Sequence, residues 1–172
     1  MNKTGIVEYA RGKRGGVPAL VGLVAVPLVT GGVSSLLTAD AMAQFGRMAQ
    51  PPLSPPAWLF PVAWTLLYVL MGVASWLIFV AEPKAADDAR VRKLALVVYA
   101  VQLALNFSWS LVFFGAQLYW VALVVLLAMW ALIIALVVLA RRVSRPASML
   151  LVPYLAWSTF AAYLNLGVAV LN

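Results

Sequence analysis

Apolar residues along this chain gather into five long stretches, at 17–37, 56–81, 94–114, 119–140 and 147–171, separated by short polar or proline-rich segments. Each is about the ~20 residues that a helix needs to cross the hydrocarbon core of a bilayer. The runs are continuous rather than alternating. That suits helices and not a barrel, because backbone at hydrocarbon depth must hydrogen-bond within its own segment or to a closed ring of strands. The pattern predicts an all-α integral membrane protein, a five-transmembrane-helix bundle over residues 17–172 behind a basic tail at 1–16. The expected connections differ in kind. Residues 38–55 form a long loop rich in proline and alanine, "EPKAADDARVRK" at 82–93 is charged, "GAQL" at 115–118 is barely a turn, and "RRVSRP" at 141–146 is a short basic link.

The approach to the second stretch reads "PPLSPPAWLFPVAW", with Pro51, Pro52, Pro55, Pro56 and Pro61 crowded around Trp58 and Trp64. Proline costs little in the first turn of a helix, whose amides lack partners anyway, so the helix is expected to begin at Pro56 or Pro61. Trp58 then sits at headgroup level, as tryptophan commonly does. Trp64 lies about 9 Å deeper, with Tyr68 one turn beyond it on the same face. Both are expected to face the bundle interior, since a phenol prefers a hydrogen-bond partner to lipid.

Composition sharpens the picture. Of 172 residues, 65% are hydrophobic and 10% charged, and the mean hydropathy is +1.00. Soluble domains are roughly half apolar, so lipid must be the solvent for most of this chain. The net charge of +7 lies between the apolar runs, where it signals topology and contact with anionic headgroups rather than binding of nucleic acid. Lys3, Arg11, Lys13 and Arg14 precede the first stretch; Lys84, Arg90, Arg92 and Lys93 follow the second; Arg141, Arg142 and Arg145 follow the fourth; only Arg47 lies in the first loop. The alternation predicts a cytoplasmic N-terminus and a C-terminus on the opposite side, in a bacterial inner membrane. The tail, the first apolar run and "TADAMAQ" resemble a signal peptide, but the run exceeds the ~7–15 residues of an h-region and is expected to be retained. The absence of cysteine and histidine excludes disulfides, thiol chemistry and zinc sites, and leaves no expected metal or cofactor.

The third stretch carries "VQLALNFSWSLVFFG", in which Gln102, Asn106, Trp109 and Phe113 form one stripe. Amides in a spanning helix are costly unless paired, so they either glue helices together or orient a mostly apolar ligand in a cavity. Ala100 and Ala104 suit close packing of helices, within the bundle or between two copies. The fifth stretch repeats the arrangement with Tyr154, Trp157, Ala161 and Asn165, and small Ala161 leaves room for a neighbouring helix or a ligand. The fourth stretch is apolar all round and reads as lipid-facing scaffold, with Trp120 as an interface anchor; Trp76 and Trp130 show no partner pattern.

At "PPAWLFPVAWTLLYVLMG", "QLALNFSWSLVFFG" and "PYLAWSTFAAYLNL" the chain resembles the TspO/MBR family of tryptophan-rich sensory and translocator proteins, and the similarity extends over nearly everything from the first stretch onward. The resemblance implies a five-helix bundle, often a homodimer. It implies binding of porphyrins and haem-pathway tetrapyrroles, cholesterol-like sterols and synthetic isoquinoline or benzodiazepine ligands. The implied pocket lies beneath the first loop, between the first, second, third and fifth helices. Carried over by position, the ligand-binding residues are Phe45, Trp64, Tyr68, Gln102, Asn106, Trp109, Phe113, Tyr154, Trp157, Ala161 and Asn165. The family tryptophan matching Trp157 is linked to light-dependent porphyrin breakdown, the one catalytic role the resemblance suggests. Some positions depart from the family pattern. Gln50-Pro51 stands where Lys-Pro is usual, Leu53-Ser54 replaces a tryptophan, Phe45 alone remains of an aromatic pair, and no basic residue follows Tyr163 to complete a sterol motif. The favoured reading is a receptor or sensor, ahead of a transporter of tetrapyrroles or similar amphiphiles. Five spans without a buried charge or an inverted repeat do not resemble a coupled secondary transporter.

Overall fold

The computed structural model describes residues 15–39, 48–82 and 85–172, and the described residues form five long helices without strands. These are α1 (Val17–Leu37), α2 (Leu59–Val80), α3 (Ala86–Ser110, continued by a π-helical turn Leu111–Gly115), α4 (Tyr119–Val143) and α5 (Arg145–Leu171). All five are long and apolar enough to span a bilayer. The chain is a multi-pass membrane protein.

Local chemistry explains where the helices begin and end. α2 starts at Leu59 rather than Pro56, because residues 56–58 form a turn in which the Leu59 amide donates to the Pro56 carbonyl at 2.9 Å. α3 starts at Ala86, eight residues before the apolar run. Asp87 and Asp88 lie in its first turn, where they complement the helix dipole. The charged segment is therefore two turns of helix that lengthen α3 beyond the hydrocarbon, and Arg92 donates to the Ala81 carbonyl at 3.0 Å, fastening it to the end of α2. Ser144 ends α4 in an extended conformation, and its hydroxyl accepts from the Ala147 amide to cap α5.

The helices form a ring in the order α1, α2, α5, α4, α3. α4 packs closely against both α5 and α3, while α1 leans mainly on α2 and meets α3 sparsely. α4 exposes Val121, Val124, Leu127 and Val138 on one face, where lipid is expected, and buries the other. Ala122, Leu126, Met129, Ile133, Leu136 and Ala140 recur at alternating steps of four and three and are fully buried, the seam of a left-handed helix pair. α5 answers with Ala147, Leu151, Tyr154, Ser158, Ala161, Asn165 and Val168. Trp130 and Trp76 have partners after all: the indole N–H of Trp130 donates to Thr159 at 2.8 Å and that of Trp76 to the Gly15 carbonyl at 3.1 Å. Trp58 and Trp120 face outward, 65% and 58% exposed.

Glycine sets the α1–α2 approach. A Cβ on Gly72 would lie 2.5 Å from the Val24 Cα, and one on Gly31 would enter the Tyr68 ring. Backbone cannot yield as a side-chain tip can, so Gly72→Ala is expected to destabilise the protein by about 1–3 kcal/mol through displacement of α1. Gly22→Ala, with open space around it, should be neutral. Thermal unfolding of both variants in nanodiscs checks this; equal melting temperatures would contradict it.

Candidate ligand-binding cavity

α3 and α5 face each other across the middle of the ring with few backbone contacts, so large side chains must fill the space. The Trp64 ring stacks on Tyr68 (centroids 5.6 Å apart), approaches Trp109 at 6.0 Å and meets the edge of Tyr154 at 6.3 Å. Trp109 stacks on Phe113 at 5.4 Å, and Phe60 meets Trp157 edge-on at 6.2 Å. Such pairs contribute about 0.5–1.5 kcal/mol each beyond their buried area.

The polar ends of these rings are tied together inside the protein. Tyr68 donates to Asn106 Oδ1 at 2.8 Å, Asn106 Nδ2 donates to the Tyr154 hydroxyl at 3.3 Å, and Tyr154 donates to Gln102 Oε1 at 2.8 Å. A second chain runs from the Trp109 indole N–H to Asn165 Oδ1 at 3.1 Å and from Asn165 Nδ2 to the Tyr119 carbonyl at 2.9 Å. The first chain links α2, α3 and α5, and the second links α3, α5 and α4.

Against this cluster lies a cavity of about 260 Å³. α1 contributes Leu28, Gly31, Gly32, Ser34, Ser35 and Thr38; α2 contributes Phe60, Pro61, Trp64, Thr65 and Tyr68; α3 and its π-helical turn contribute Asn106, Trp109, Ser110 and Phe114. A smaller void of about 20 Å³ on the other side of the Trp64–Trp109 pair is lined by Phe113, Trp157, Ala161, Leu164 and Asn165, and shares Phe60 and Phe114 with the cavity. Among the described residues, none that lines either space is charged.

The expected site residues fall into distinct places. Trp64, Tyr68, Asn106 and Trp109 line the cavity, while Phe113, Trp157, Ala161 and Asn165 line the small void. Gln102 and Tyr154 line neither; both are fully buried and serve the hydrogen-bond chain. Of the two readings open for the amides, helix glue describes Gln102, and Asn106 combines both. Phe45 and Arg47 lie outside the described residues. The indole N–H of Trp157 is buried without a hydrogen-bond partner among the described residues.

Several lining residues were not expected. Phe114 enters because the π-helical turn, closed by the Ala116 amide donating to the Leu111 carbonyl at 2.9 Å, shifts the phase of α3 and brings two consecutive phenylalanines to Trp109. The α1 hydroxyls and glycines gave a signal in their clustering at 31–38, which helical spacing alone did not resolve.

The described end of the first loop is fastened over this end of the bundle. Asn172 accepts from the Ala49 amide at 3.2 Å and donates to its carbonyl at 3.0 Å, and Tyr163 donates to the Pro52 carbonyl at 2.7 Å. Pro51 sits on Gly167, where any Cβ would collide with the proline ring.

The family model described as TspO/MBR family matches residues 23–171. The chain is 39% identical over 128 residues to the tryptophan-rich protein TspO of Chlorobaculum tepidum, covering 74% of this chain and 78% of that one. It is 39% identical over 150 residues to the translocator protein of Ovis aries (87% and 86% covered). It is 38% identical over 128 residues to the tryptophan-rich sensory protein of Cereibacter sphaeroides (74% and 76%).

Asn106 holds two tyrosine hydroxyls at hydrocarbon depth. Asn106→Leu should leave the Tyr68 hydroxyl without its acceptor, with Tyr154 keeping only Gln102 and Met129, and lower stability by about 1–3 kcal/mol, whereas Gln50→Leu in the loop should change it by less than about 0.5 kcal/mol. Denaturation in nanodiscs reads both; an unaffected Asn106 variant would show that the chain carries no weight.

Proposed function

The chain belongs to the TspO/MBR family, and from that premise we propose that it is a membrane receptor. It takes flat, mostly apolar ligands, tetrapyrroles first and sterol-like or isoquinoline-like molecules second, into the cavity between α1, α2 and α3. The family supports a membrane receptor or transporter role. The observation that carries the choice of ligand is the Trp64–Trp109 pair. Both rings line the cavity and the small void, and the polar groups of Tyr68, Asn106 and Asn165 beside them are bonded within the protein. Broad indole rings at the wall of a mostly apolar space suit stacking on another flat π-system. The unpaired Trp157 N–H adds one donor for an acceptor on the ligand.

At about 260 Å³ the cavity is smaller than the ~300–1,000 Å³ of pockets that engulf a drug-sized molecule. A tetrapyrrole therefore requires widening, and the sparse α1–α3 join is where the ring opens most cheaply. The same join supports a second reading. An apolar groove of about 750 Å³, lined by residues from Leu23 to Val33 on α1 and Leu96 to Phe107 on α3, continues along it, so a transported amphiphile has a path down one seam. The receptor has its N-terminus in the cytoplasm of a bacterial cell, in line with the placing of its basic residues, and the family resemblance suggests that it acts as a dimer.

Protoporphyrin is expected to quench the tryptophan fluorescence of the protein in nanodiscs beyond a lipid-only control. Trp64→Leu should weaken that binding about tenfold, the loss of stacking on one ring; unchanged affinity would reject this pocket. Sealed vesicles separate the two readings, since binding without flux leaves the receptor and flux supports the transporter. Because the chain has no cysteine, orientation is read from single substitutions. On intact cells an impermeant maleimide should label Ala116→Cys and spare Glu82→Cys, and the reverse pattern would invert the topology.

A further inference from the structure

Hydroxyl groups in these spans generally return to a backbone carbonyl of their own helix, as Thr30 does to Val26, Ser108 to Ala104 and Ser158 to Tyr154. Ser148 reaches the Val137 carbonyl of α4 instead. The hydroxyls of Ser34, Ser35, Thr65 and Ser110 have no hydrogen-bond partner among the described residues, and all four line the cavity. They come from three helices at a similar depth. Ser34 and Ser35 lie in the last turn of α1, Thr65 about 9 Å inside the start of α2, and Ser110 at the close of the α-helical part of α3. Ser34 is only 4% exposed, so surrounding solvent does not account for its idle hydroxyl.

A hydroxyl that forgoes the carbonyl one turn behind it stays available to something else. We propose that these four form a collar that receives the polar end of the ligand, and that this end is uncharged: a hydroxyl, carbonyl, ester or amide. Hydroxyls both donate and accept, so they meet such groups in either sense. A carboxylate in the same place would shed its hydration with no cation among the described lining residues to replace it. The inference rests on the receptor reading above and adds the chemistry of the end that points into the collar. It assigns Ser34 and Ser110 as specificity-determining residues, whereas the indole faces bind the ring system without regard to its substituents.

Three porphyrins of similar ring size test it by fluorescence quenching in nanodiscs: protoporphyrin with its two carboxyl groups, its dimethyl ester, and the purely alkyl etioporphyrin. The ester is expected to bind the unaltered protein more tightly than the diacid. The double substitution Ser34→Ala, Ser110→Ala should weaken the ester by about tenfold and leave etioporphyrin within about twofold, which also reports that the variant is folded. Ser108→Ala, whose hydroxyl is already bonded to Ala104, should change none of the three. Tighter binding of the diacid than of the ester would overturn the proposal. So would equal loss of ester and etioporphyrin in the double variant, or no loss at all; in that last case the receptor reading would survive. If none of the three quenches, the receptor reading fails and takes the collar with it.

Discussion

Polar groups carried to hydrocarbon depth are costly without partners inside the protein, and the chains that pair most of them organise this bundle. The spanning helices hold two amides on α3, one on α5, and tyrosine and tryptophan donors facing them. Tyr68, Asn106, Tyr154 and Gln102 answer one another in a single line, and Trp109, Asn165 and the Tyr119 carbonyl in another. Each bond contributes only about 1 kcal/mol net. Their larger effect is on register, because α3 and α5 make few backbone contacts with each other and meet directly through these side chains. A helix turned by one residue would break several bonds at once.

The cavity is a consequence of that alignment. The Trp109 indole is held by Asn165, the Trp64 ring lies 6.0 Å from it, and the two bulky indoles stand between α2 and α3 at the wall of the cavity. α1 closes the third side with small residues, and its close seat on α2 at Gly72 contrasts with its loose join to α3. A rigid wall built from α2, α3, α4 and α5 thus faces a more weakly held one. That division suits a site that must admit a ligand larger than its resting volume. Above it, the Pro51–Pro52 segment is held by Tyr163, Gly167 and Asn172, so the described end of the loop is anchored to the firm side of the bundle.

Much of this was legible in the chain itself, for identifiable reasons. The spans followed from length and apolarity, and the stripe Gln102–Asn106–Trp109–Phe113 followed from helical spacing, because α3 keeps its period up to Ser110. Beyond that point the π-helical turn adds a residue to the repeat, and a reading at constant period could not bring Phe114 to the cavity. α1 is apolar nearly all round, so nothing in its pattern told which face would meet α2 and α3. The buried seam of α4 was hidden for the same reason: it is a matter of packing between equally apolar positions, which hydropathy cannot rank. The charged segment at 86–93 hid a helix start because polarity marks where lipid ends, not where helix ends.

The account turns on the indoles of α2, α3 and α5 pointing at one another and away from acyl chains. Quenching by brominated lipid in bilayers measures this directly, on variants that keep one tryptophan each and replace the others by phenylalanine. Trp109 as the sole indole, 8% exposed, should be nearly untouched by bromine at any depth, while Trp120, 58% exposed, should be strongly quenched by bromine near the headgroups. Quenching of Trp109 to the same extent as Trp120 would mean that the rings face lipid and that the cavity does not exist as described.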